Sequence, residues 1–140
     1  MLTAIIGGLV LVLCLALVIA LARDPGPPPG DVALAYEFAW DRLDFETLWT
    51  LSGKELRDER SKPEFVAAKQ AAYDRAPGLA GLAEHVSLEE IVGGADVAVA
   101  RTSVELTDGS IARNELHLAR RDGKWQVVAY ELRESSDAPQ

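Results

Sequence analysis

Two Asp-Gly dipeptides, Asp108-Gly109 and Asp122-Gly123, constrain this chain more than any other feature. Asp-Gly supplies the positive φ that tight hairpin turns demand, and strand-like runs flank both copies. The pair therefore predicts three consecutive antiparallel strands over residues 97–107, 111–121 and 124–133. Val86, Leu88, Ile91 and Val92 mark a further strand before them, closed by Gly93-Gly94. The C-terminal half should be a four-stranded meander.

The residues before the meander carry helical signals. Asp31 is placed to cap a first helix over 32–43, with Leu34, Phe38, Tyr36 and Trp40 as its apolar positions. Asp44 caps a second, short helix carrying Phe45, Leu48, Trp49 and Leu51, and Ser52-Gly53 ends it. Residues 54–62 are densely charged and read as a solvated connection. Ser61-x-x-Glu64 is a capping-box pattern, and Pro63 falls in the first turn, where its missing N–H costs little. A third helix therefore starts there, and Ala76-Pro77-Gly78 stops it. Helices followed by strands indicate an α+β fold, with three helices packed on one face of a curved four-stranded antiparallel sheet.

The strand patterns hold a further expectation. On the third strand Leu116 and Leu118 share a face opposite Glu115, His117 and Ala119. On the fourth, Trp125, Val127 and Ala129 alternate with Val128, Tyr130 and Leu132, so both faces are apolar. The second strand opposes Val97 and Val99 to Ala98, Ala100, Val104 and Leu106. A sheet covered on one side alternates cleanly. A dimer partner or strong sheet curling is expected to cover the second face, through Val97, Val99, Val128 and Tyr130.

Ahead of all this lies a charge-free run from Leu2 to Ala22. As a helix it would reach about 31 Å, the thickness of a hydrocarbon core. Residues 1–23 are expected to form a single-pass transmembrane anchor that makes the membrane a partner through residues 2–22. Ala20-Leu21-Ala22 fits a signal cleavage pattern, but the run is long for a signal and no Lys or Arg precedes it. Lipidation of Cys14 would need a small residue where Leu13 stands. Arg23, beside Asp24, leaves the side of the membrane open. Residues 24–30, Asp-Pro-Gly-Pro-Pro-Pro-Gly, read as a stiff spacer. The folded unit is then 31–134, and 135–140 is a tail.

Charge narrows the function classes. The net charge is −8, with 14 Lys and Arg against 22 Asp and Glu. That balance argues against a phosphate-backbone partner, so no nucleic acid is expected. One cysteine and two histidines make no zinc site; Asp41, Asp44 and Glu46 lie close enough to suggest a cation site, but Asp44 and Glu46 read as helix N-terminal residues. No metal, no cofactor and no catalytic constellation is expected.

The stretches Tyr36-Glu-Phe-Ala-Trp-Asp-Arg-Leu-Asp44-Phe-Glu-Thr-Leu48-Trp49-Thr-Leu51 and Arg120-Arg-Asp-Gly123-Lys-Trp125-Gln-Val127-Val-Ala-Tyr130-Glu-Leu132 resemble the opening helices and last hairpin of nuclear transport factor 2-like domains. The resemblance spans 31–134 and is to small membrane-anchored bacterial variants. It implies a cone-shaped α+β roll, a pocket between helices and sheet, and dimers through the sheet. It departs from the family in 52–62, too short for the hairpin usually found between the second and third helices. Isomerase-like and cyclase-like members use a carboxylate base with tyrosine donors, for which Glu115 or His117 with Tyr36, Tyr73 or Tyr130 would be the residues available. None lies in a matching catalytic motif. The expected function is a non-catalytic, membrane-tethered module for protein–protein interaction or self-association as a homodimer. The alternatives are a small hydrophobic ligand bound at Tyr36, Trp40 and Tyr73, and an isomerase- or cyclase-type enzyme.

Overall fold

The computed structural model describes residues 10–19, 26–76 and 78–136. Residues 10–19 form an exposed helix, α1, that carries Cys14. Among the described residues no helix is long and apolar enough to cross a membrane. The rest of the 2–22 run lies outside them.

Helix α2 (Pro29–Asp41) begins earlier than expected. Pro28 occupies the N-cap and Pro29 the first turn, where a proline ring loses no intrahelical hydrogen bond. The spacer's last two residues, Pro29 and Gly30, are thus helical. Asp31 sits in the first turn, where its charge complements the helix dipole, and is not the cap. The helix stops before Leu43, whose φ of 52° is left-handed, a conformation that usually falls to glycine at helix ends. Helix α3 (Phe45–Leu51) is capped by Asp44, whose side chain accepts from the Thr47 N–H at 3.1 Å and the Thr47 hydroxyl at 2.6 Å. In α4 (Lys62–Tyr73) the Glu64 carboxylate accepts from the Ser61 N–H at 2.9 Å, as the capping box requires.

The connection before α4 is more ordered than a solvated link. A 3-10 turn (Lys54–Leu56) follows Ser52, which makes a parallel bridge to Val127. The Gly53 N–H donates to the Val127 carbonyl at 2.7 Å, and Arg121 pairs with Glu55. Arg57 stacks 3.8 Å from the centre of the Trp49 ring. This segment borders the sheet at Val127.

The strands β1 (Ala83–Gly93), β2 (Val97–Leu106), β3 (Ile111–Arg121) and β4 (Lys124–Ser136) form one antiparallel sheet in the order β1-β2-β3-β4. Ser135 and Ser136, expected in the tail, pair with Ala112 and Ile111. The inward face carries Ala98, Ala100, Leu116, Leu118 and Val127, each buried against Val32, Ala33, Tyr36, Ala39, Phe45, Leu48 and Phe65 of the helices. Burying a leucine such as Leu48 or Leu116 contributes about 1.5–3 kcal/mol.

The apparent double apolarity of β4 has a local cause. Leu118 pairs with Val127, yet His117 pairs with Ala129, so Val128 is an extra residue in a bulge. The bulge shifts the alternation by one. Val127 before it and Tyr130 after it both serve the helix side, while Val128 joins the open face. Tyr130 therefore does not belong with Val97, Val99 and Val128, with which the sequence pattern grouped it.

Candidate functional site

The inward stripe of α2 is Val32, Ala33, Tyr36, Glu37 and Ala39, all buried. Leu34 is only half-buried and Phe38 is exposed, although both were expected in the core. Large apolar side chains masked the true stripe, which small alanines bring close to the sheet. Within it, one turn beyond Ala33, stands a carboxylate.

Glu37 is 4% exposed. Its Oε1 accepts from the Thr102 hydroxyl at 2.5 Å and from Asn114 Nδ2 at 3.0 Å. Its Oε2 accepts from the Tyr130 hydroxyl at 2.9 Å. Thr102 and Asn114 are themselves buried and face each other across β2 and β3. Three strands thus each supply one inward donor to a single helix residue. Burial, reinforced by the Glu37 carboxylate, pushes the Tyr130 phenol above its usual 10 and keeps it a donor. Burial likewise raises the Tyr36 phenol. No Lys or Arg among the described residues pairs with Glu37, so its oxygens are met by neutral donors alone.

The carboxylate lines a cavity of about 360 Å³ between α2 and the sheet. Val104, Leu106 and Ala112 form its floor, and the exposed Leu79, Leu82 and Leu132 stand at its mouth. Trp40 and Asp41 complete the α2 side. Asp41 Oδ1 accepts from the Ala83 N–H at 2.8 Å, tying the start of β1 to the end of α2. The Trp40 indole N–H is buried without a completed hydrogen bond, although it lies near enough to the Tyr36 phenol to favour its ionised form.

Of the aromatic residues expected in a pocket, Trp40 lines this one. Tyr36 lies behind it, 5.4 Å from the Tyr130 ring and 6.5 Å from Trp40 between centres. Tyr73 packs against Trp40 and Phe45 in the aromatic core, not on the cavity wall. Glu37, Thr102 and Asn114 escaped the sequence reading altogether. The available signal was a charged residue inside the apolar stripe of α2, legible only with the alanines counted as core.

The other candidates fall elsewhere. Glu115 and His117 lie on the open face, 3.1 Å apart. Arg101, also 3.1 Å away, holds the Glu115 carboxyl below its usual range. Asp41, Asp44 and Glu46 each have a different partner: Ala83, Thr47 and Lys62. On the same open face Val92, Val97, Val99 and Val128 border a recess of about 430 Å³, with Val97 65% and Val92 57% exposed.

No protein-family model matches the chain, and no curated protein resembles it in sequence. Solved structures do. A Campylobacter jejuni protein named as a candidate NTF2-like transpeptidase superposes with a TM-score of 0.52 at 21% identity, over 72% of this chain and 97% of that one. An NTF2-like protein of unknown function from Shewanella baltica gives 0.50 at 16% identity, over 74% of this chain and 90% of that one. These likenesses establish the nuclear transport factor 2-like α+β fold that the residues of α2, α3 and the last hairpin resembled.

Proposed function

We propose that this chain is a membrane-tethered, non-catalytic binding module whose cone holds a small, largely apolar ligand. The observation that supports this reading is the cavity beside Glu37: apolar walls, with a few polar groups converging at one place. That is the usual make-up of a small-molecule site. The carboxylate is fixed by Thr102, Asn114 and Tyr130, which suits orienting a ligand better than carrying protons to and from one. Tethering rests on the charge-free run from Leu2 to Ala22.

The binding test uses the full chain in detergent, titrated with small apolar compounds while the Trp40 indole N–H resonance is followed. Binding should move that resonance, and filling the cavity floor by Ala112→Phe should abolish the shift. A Trp40 signal indifferent to every compound sinks the ligand reading. Tethering is tested by alkaline carbonate extraction of membranes: the chain should stay with the pellet, and its release would contradict an anchor.

A second reading is self-association through the open sheet face. The exposed valines Val92, Val97, Val99 and Val128 favour it, because contiguous apolar surface of this kind marks interaction sites. The two readings use opposite faces of the sheet and are compatible.

A further inference from the structure

Resting on the ligand-cavity reading, we infer that the cavity takes a compact apolar molecule carrying one positive charge, a primary or secondary amine. Among the described residues the lining holds two carboxylates, Glu37 and Asp41, and no basic side chain. They stand one helical turn apart on α2, one deep and one half-exposed towards the mouth.

Glu37 carries the argument. A buried carboxylate met only by neutral donors lacks the counter-charge that offsets its desolvation. Thr102 and Asn114 engage one oxygen, while among the described residues Oε2 accepts from Tyr130 alone and retains a site for another donor. Asp41 gives one oxygen to the Ala83 N–H, and its other oxygen makes no protein hydrogen bond among the described residues. An ammonium group offers two or three N–H donors together with the missing charge. The nearby Lys69 does not supply it, because its ammonium pairs with Asp58 at 3.7 Å and lies outside the cavity wall. The remaining walls are Leu79, Leu82, Val104, Leu106 and Leu132, which suit a hydrocarbon body. A net charge of −8 also draws cations towards the mouth.

Three isosteric probes separate the charge from the shape: adamantylmethylamine, adamantanemethanol and adamantanecarboxylate. Each is titrated into the full chain in a neutral detergent, with the Trp40 indole and Asn114 amide resonances reporting on the cavity. The amine should bind at least about tenfold tighter than the alcohol, and the carboxylate weakest of all. Glu37→Gln should remove most of the amine's advantage over the alcohol. Should that variant fail to fold, Asp41→Asn keeps the Ala83 contact and should still narrow the gap between amine and alcohol. Equal affinity for amine and alcohol overturns the cationic ligand but leaves the apolar cavity standing. Tighter binding of the carboxylate overturns it as well. If none of the three moves either resonance, both this inference and the reading it rests on fall.

Discussion

The Tyr130 hydroxyl sits 2.9 Å from Glu37 Oε2, across 93 positions of sequence, and fastens the last strand to the first helix of the roll. Removing one donor of this network is expected to cost less than removing its acceptor. Tyr130→Phe should lower stability by about 1.5–3 kcal/mol, since one bond to a charged group is lost. Glu37→Ala strands the Thr102, Asn114 and Tyr130 donors together and, at about 1–3 kcal/mol for each unsatisfied buried donor, should cost more than the loss of one bond. Urea unfolding of the two variants tests the order, and a milder effect for Glu37→Ala would contradict it.

Gly53 is buried and donates to Val127, and a Cβ there would stand 2.9 Å from Val128 Cγ1 and 2.5 Å from Glu55 Oε2. Its φ of −72° imposes no need for glycine, so crowding alone decides. Gly53→Ala should destabilise by about 1–3 kcal/mol through displacement of the bulged residue. Gly53→Ala combined with Val128→Ala should recover part of that loss in thermal melts.

Glu55 pairs with Arg121 at 2.9 Å and 2.5 Å, and the guanidinium holds its carboxyl well below the usual 4.5, at about 2. A depressed carboxyl stabilises the fold above its ordinary pKa, and the contribution fades as pH falls through the folded value. Both side chains are more than a third exposed, so screening keeps the effect small. Arg121→Gln should lower the melting temperature by about 2 °C at neutral pH. The difference from the parent chain should shrink below pH 4.5 and vanish near pH 2. A difference that grows on acidification would show that the pair acts otherwise.

If the open face joins two copies, Val97→Glu places like charges against each other in an apolar contact. Association of the full chain, followed by light scattering in detergent, should weaken at least about tenfold, with the melting profile of the fold retained. An unchanged mass distribution would remove the dimer reading without touching the cavity.

The meander was legible because Asp-Gly turns and β-branched runs are local signals. Asp44 and the Ser61–Glu64 box were legible for the same reason. The start of α2 was not: Pro28 and Pro29 read as spacer, and only packing of the helix on the sheet recruits them. The cavity was legible in part. Trp40 was expected there, but Glu37 gains its meaning from Thr102 and Asn114, which no local pattern links to it. Tyr130 was assigned to the wrong face because a strict period of two cannot register an extra residue.

That extra residue, Val128, gives β4 something like a reading frame. Upstream of it, Val127 faces the helices; downstream, Tyr130 and Leu132 do so only because the frame has moved by one. Paired without that bulge, the same residues would present Ala129 and Glu131 to the cone and turn Tyr130 outward, whereas a strand lacking Val128 would keep Val127 and Tyr130 two positions apart and both inward. The cavity thus depends on where β4 breaks its period of two as much as on the kinds of residue that the strand carries.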